Sequence, residues 1–78
     1  MQHRLEINNS GAWKLLGVYT PGTPAADRIL AAAADLVDAL NDRASGRYAL
    51  CKLRVATDEP HPRACAYFQT REEGWRDA

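Results

Sequence analysis

Two cysteines, two histidines and the adjacent carboxylates Asp58 and Glu59 are the residues of this 78-residue chain weighed first for chemistry. Cys51 or Cys65 beside His3 or His61 would make a thiolate–imidazolium nucleophile, provided the two meet in space. No local signature of a cysteine enzyme surrounds either thiol. Both cysteines lie in apolar, strand-like runs, which is the setting of buried free thiols. Cys51, His61 and Cys65 are also a formal metal-ligand set, but the chain has neither a CxxC nor an HxxxH spacing. The only serines, Ser10 and Ser45, fall in turns, so a serine triad has poor support. Gly17, Gly22 and Gly46 are too scattered for a phosphate loop. Asp58 and Glu59 read as solvated turn residues. The expectation is a non-enzymatic protein with no cofactor and no metal. A small thiol or hydrolytic enzyme is the third reading, because catalytic groups need not be neighbours in sequence.

The elements that would position any site are organised around residues 23–43, TPAADRILAAAADLVDALNDR, the one long helix signal. Thr23 is an N-cap type, Pro24 fits the first helical position and Asp27 favours the positive end of the dipole. Ala31 to Ala34 have high helix propensity, and Gly46 is the expected C-terminal stop. At about 100° per residue, Ala26, Ile29, Leu30, Ala33, Leu36, Val37 and Leu40 share one stripe, the expected buried face. Asp27, Asp35, Asp38 and Asp42 make an acidic ridge on the other side, interleaved with Ala31 and Ala34.

Strand patterns flank the helix. Residues 2–7 alternate polar and apolar, Asn8 to Gly11 is a turn signal, and residues 12–20 form the second strand of a hairpin. With Ile7 facing Ala12, Leu5, Ile7, Leu16 and Val18 share the core face. Trp13, Leu15, Gly17 and Tyr19 then share the other face with Arg4 and Glu6. Residues 47–57 give a third strand with Ala49, Cys51, Leu53 and Val55 inward and Tyr48, Leu50, Lys52 and Arg54 outward. Residues 58–62 hold two prolines and turn the chain into a fourth strand, 63–70. With Thr57 facing Arg63, Val55 faces Cys65 and Lys52 faces Phe68. Cys51 then lies roughly 13 Å from Cys65's partner at strand rise, too far for a disulfide. Trp75 in the polar tail is expected to close the edge of the core. The fold class is therefore α+β: one domain, ββαββ, a four-stranded antiparallel sheet with one helix packed on one face.

Ten basic and ten acidic residues cancel, so no global field draws the chain to nucleic acid. No apolar run is long enough to span a bilayer and no signal peptide opens the chain; the expectation is a soluble, cytoplasmic protein.

One helix covers one face of a sheet. The outer face on this register carries Trp13, Leu15, Tyr19, Tyr48, Leu50, Ala66 and Phe68 among Arg4, Lys52 and Arg54. An apolar patch rimmed by charge marks an interface. It is read as a homodimer seam with two sheets face to face, as a site for another protein, or as a single-strand nucleic-acid platform on which bases stack and cations hold phosphates.

In outline, the helix with Asp35, Asp38 and Asp42, flanked by hairpins at Asn8–Gly11 and Asp58–Pro62, resembles the small accessory proteins of phages and mobile elements, of which the anti-CRISPR proteins are the named group. The resemblance implies a protein that works by occlusion, blocking a basic, nucleic-acid-binding or assembly surface of a larger protein or ribonucleoprotein complex. Carboxylates on a rigid helix can fill an Arg/Lys groove that normally holds phosphates. The expected partner-binding residues are Asp35, Asp38 and Asp42 on the ridge, and Trp13, Tyr19, Tyr48, Lys52, Arg54 and Phe68 on the sheet. The alternative is a nucleic-acid module using Tyr48, Lys52, Arg54 and Phe68.

Overall fold

Two hairpins and one helix form an α+β unit in a computed structural model that describes residues 1–9, 11–43 and 51–78. The strands are β1 (His3–Asn8), β2 (Trp13–Tyr19), β3 (Lys52–Thr57), β4 (Ala64–Phe68) and β5 (Arg76–Asp77), and the helix α1 is Pro24–Arg43. The sheet is antiparallel with order β2-β1-β3-β4-β5. The expected four strands are thus five, because the tail returns along β4. Tyr67 pairs with Arg76, and the Ala78 amide donates to the Cys65 carbonyl at 3.1 Å. Gly46, Ser45, Tyr48, Ala49, Leu50 and Ser10 lie outside the described residues, as does the side chain of Asp42.

The helix starts where its cap residue dictates. The Thr23 hydroxyl accepts from the Ala26 amide at 3.2 Å and donates to the Thr20 carbonyl at 2.8 Å. Gly22 precedes it at a φ of 79°, which L side chains rarely adopt.

The buried stripe of α1 is rotated from the expected one. Ala26, Ala33, Ala34 and Val37 are buried, while Ile29, Leu36 and Leu40 are 37, 49 and 42% exposed. Asn41 is the reason at the C-terminal end. Its amide nitrogen donates to the Cys51 and Gln69 carbonyls at 3.2 and 3.0 Å, and its oxygen accepts from the Cys51 amide at 2.8 Å. Those groups belong to the ends of β3 and β4, and satisfying them turns Asn41 inward and Leu40 outward. Small residues on the inward stripe let the helix lie close over Leu53, Val55, Phe68, Leu5 and Tyr19, which supply most of the core volume.

Two β-bulges overturn the expected strand faces. On β2 the pairing runs Glu6↔Leu15 and then Leu5↔Gly17, so Leu16 is the extra residue. Trp13 and Leu15 stay on the outer face. Beyond the bulge the faces exchange: Tyr19 enters the core, and Val18, expected inside, is exposed. On β4 the Thr57 amide does bond the Arg63 carbonyl at 2.9 Å, but pairing then skips Cys65. Phe68 consequently faces Leu53 rather than Lys52, Val55 faces Ala66 rather than Cys65, and Phe68 is buried. Trp75 packs on Phe68 with ring centroids 5.5 Å apart. Cys51 and Cys65 are separate, half-buried thiols.

Candidate functional site

The sheet register builds two surfaces: an acidic flank on α1 and a row of side chains on the outer sheet face. Asp35 and Asp38 point from adjacent positions of α1 towards the turn that follows β4. There Arg71 holds both carboxylates, with Nη2 2.6 Å from Asp35 and Nε 3.0 Å from Asp38. All three side chains are open to solvent, at 71% for Asp35, 43% for Asp38 and 59% for Arg71. The bond to Asp35, then that to Asp38, pushes the Arg71 guanidinium above its ordinary value. One guanidinium spanning two carboxylates from neighbouring turns is a charge-assisted clamp.

The outer face is organised by cross-strand rows. Leu15, Glu6, Arg54, Tyr67 and Arg76 are successive partners in one row across all five strands, and Trp13, Asn8 and Lys52 form the next. Glu6 is only 6% exposed, although it lies on the face without a helix. Arg54 covers it, donating from Nε and Nη2 to Oε1 at 2.9 and 2.7 Å. Arg4 approaches the other oxygen at 3.9 Å. The Arg54 guanidinium in turn lies 4.4 Å from the centroid of the Trp13 ring, and Trp13 reaches Tyr67 at 6.2 Å between centroids. Trp13, Arg54 and Tyr67 therefore roof a buried carboxylate, and the cation between them is matched on one side by charge and on the other by the ring face.

The structure brings some of the expected site residues together and separates others. Trp13 and Arg54 meet, with Lys52 exposed one row away. Asp35 and Asp38 meet through Arg71. Tyr19 and Phe68, expected on the outer face, are buried on the helix side, because each lies beyond a bulge. Burial pushes the Tyr19 phenol above its usual value of 10.0, and the charge of Cys65 adds to the shift. His3 packs edge-on against Tyr19 at 5.9 Å, and His61 is exposed. Among the described residues no cluster of three His, Cys, Asp or Glu has metal-site geometry. No helix of the described residues is long and apolar enough to cross a membrane.

Sequence reasoning missed Glu6, Tyr67 and Arg71. Glu6 carried one signal, an acid between two residues bound for the core. Tyr67 was hidden by the β4 bulge, and nothing local marks Arg71 as the partner of a helix. Comparison with protein-family models, with curated proteins and with solved structures gives no match.

Proposed function

We propose that this chain is a non-enzymatic binding protein of the occluding, anti-CRISPR-like kind, which lays its acidic helix flank on a basic, nucleic-acid-binding or assembly surface of a larger protein or ribonucleoprotein complex. The observation that carries this reading is the clamp of Asp35 and Asp38 on Arg71. It is an exposed receptor of the right spacing for one guanidinium, already holding one from its own chain. A basic partner supplies the same group in place of Arg71, and Arg71 then swings to solvent. No catalytic step, cofactor or membrane enters the mechanism. Affinity comes from charge-assisted bonds whose long-range part steers the encounter and weakens with salt.

The test is capture from lysate of the source cell, repeated with Asp35→Arg/Asp38→Arg. The captured protein is expected to be basic or nucleic-acid-binding, and the variant is expected to lose it while keeping its circular dichroism spectrum. Capture undiminished by the double reversal sinks the mechanism.

The alternative is single-strand nucleic-acid binding through the outer sheet face, favoured by one observation: exposed Tyr67 beside Trp13, within a field of Arg4, Lys52, Arg54 and Arg76. Such a platform stacks bases on Tyr67 and Trp13. It requires Arg54 to leave the Trp13 ring it covers, and Phe68 cannot contribute from the core. A salt-dependent gel shift with a single-stranded oligonucleotide distinguishes it from protein binding.

A further inference from the structure

The flank of α1 that the sheet leaves uncovered has a regular build of its own. Ala25, Ile29, Ala32, Leu36 and Ala39 follow one another at spacings of four, three, four and three residues, and all five are exposed. That alternation is the heptad seam of a two-helix coil. Alanine stands at every seventh place, and Ile29 and Leu36 stand between. At 100° per residue the seam lies about a third of a turn from the buried stripe, so it runs along the flank of the helix beside the sheet contact.

Ala25, Arg28, Ile29 and Ala32 line a shallow hollow of about 460 Å³, open to solvent. Those four positions are i, i+3, i+4 and i+7, the set that forms a hole for a knob from a facing helix. A matching knob is present on the same seam: Leu36, half exposed. We propose that α1 pairs antiparallel with the α1 of a second copy of this chain, Leu36 of each copy entering the hollow of the other.

The register follows from that seating. Setting Leu36 against the midpoint of Arg28 and Ile29 puts the twofold axis beside Ala32. Ala32 then meets its own counterpart, where the small side chain permits close approach of the helices. The seam from Ala25 to Ala39 is about 21 Å long at 1.5 Å per residue. Charge agrees with the antiparallel sense. Arg28 and Asp35 border the seam on the same side, and the twofold axis brings Arg28 of one copy level with Asp35 of the other, twice. A parallel pair would instead set the two Arg28 side chains at one level. Knob, hole and both charges reside on one surface at self-complementary places, which is the mark of an isologous contact rather than of a groove for an unrelated helix. Asp35 serves both this interface and the Arg71 clamp: Arg71 holds its Oδ1 within the chain, and Arg28 of the second copy takes its Oδ2.

The experiment is size-exclusion chromatography with light scattering on the full chain at high micromolar concentration. The expected mass is twice the chain mass of 8.6 kDa. Leu36→Glu is expected to give a monomer with unchanged circular dichroism, since Leu36 contributes little to the protomer core. Arg28→Asp is expected to raise the dimer dissociation constant about tenfold, and adding Asp35→Arg to restore it. Under mild oxidation Ala32→Cys should cross-link to itself, whereas wild type and Ala31→Cys, one position round the helix, should not. A monomeric wild type overturns the proposal, whatever else binds the flank. So does a dimer that persists in Leu36→Glu with no Ala32→Cys cross-link, which would locate the contact elsewhere.

Discussion

The two faces of the sheet bury comparable side chains by different physics. On the helix side Leu53 and Val37 are wholly enclosed, in one cluster with Leu5, Val55, Phe68 and the alanines of α1. That face is held by non-directional burial, and many apolar side chains of similar volume would serve. On the outer side a carboxylate is enclosed as completely as many core residues, by Arg54 below the Trp13 ring. That face is held by geometry: one donor fork, one acceptor, one ring. Arg54 satisfies the carboxylate, while Nε of Arg4 beside it is buried without a hydrogen-bond partner. A small domain that can place a single helix thus finishes its second face with a salt bridge under an aromatic roof.

The largest expected effect breaks the helix side. Leu53→Ala should cost about 2–5 kcal/mol, the lost transfer energy plus a cavity at the centre of the core. Urea denaturation followed by fluorescence or circular dichroism measures it. For a single small domain that is a large part of the total stability, so the variant is expected to be partly unfolded at 37 °C. A cost near that of a surface substitution would mean that the core is centred elsewhere.

The next effect breaks the roof. Arg54→Met keeps length and apolar stem but leaves Glu6 enclosed without its main cation. Removing one partner of a fully buried pair costs about 3–5 kcal/mol, and Arg54 is a quarter exposed, so about 1–3 kcal/mol is expected here. The double variant Glu6→Gln/Arg54→Met should recover part of the loss, since the uncompensated charge is gone. A double variant no better than the single one would show that Arg54 acts through Trp13 rather than through Glu6.

The contrast between the faces also marks what could be read from the sequence. Local signals were legible: the Thr23-Pro24 start, both hairpins, the inward parity of Leu53 and Val55, and the outward parity of Trp13, Leu15, Arg4 and Arg54. The bulges were harder. Gly17, beside the extra residue Leu16, was a signal for the first that the parity reading passed over; nothing local marks the second at Cys65. Each exchanges the faces of everything beyond it, which is why Tyr19 and Phe68 came out on the wrong side. The rotation of α1 was hidden for another reason. It is set by Asn41 reaching strands ten and 28 residues away, while periodicity sees only the helix itself. The clamps were hidden in the same way: Arg54 and Glu6 are 48 residues apart, and Arg71 and Asp35 are 36 apart. Of the candidate site, the acids were legible as a ridge, and the arginine that engages them was not.

The smallest expected effect sharpens the comparison, because two of the arginine–carboxylate clamps among the described residues differ in their exposure. Arg54 grips an enclosed Glu6; Arg71 grips Asp35 and Asp38 in open solvent. In water the Coulomb gain of Arg71 is offset by hydration and by the entropy of holding a long side chain still. Arg71→Ala should therefore leave the urea midpoint unchanged within error, at low salt as well as high. Its effect belongs to binding. With the internal guanidinium removed, two carboxylates stand free for a basic partner, and affinity for that partner is expected to rise, most at low ionic strength where exposed charges are least screened. If Arg71→Ala instead destabilises the fold as much as Arg54→Met does, the acidic flank is a structural latch between α1 and the β4–β5 turn. The receptor reading of Asp35 and Asp38 then loses the observation that carries it, and the outer sheet face becomes the better candidate for the partner.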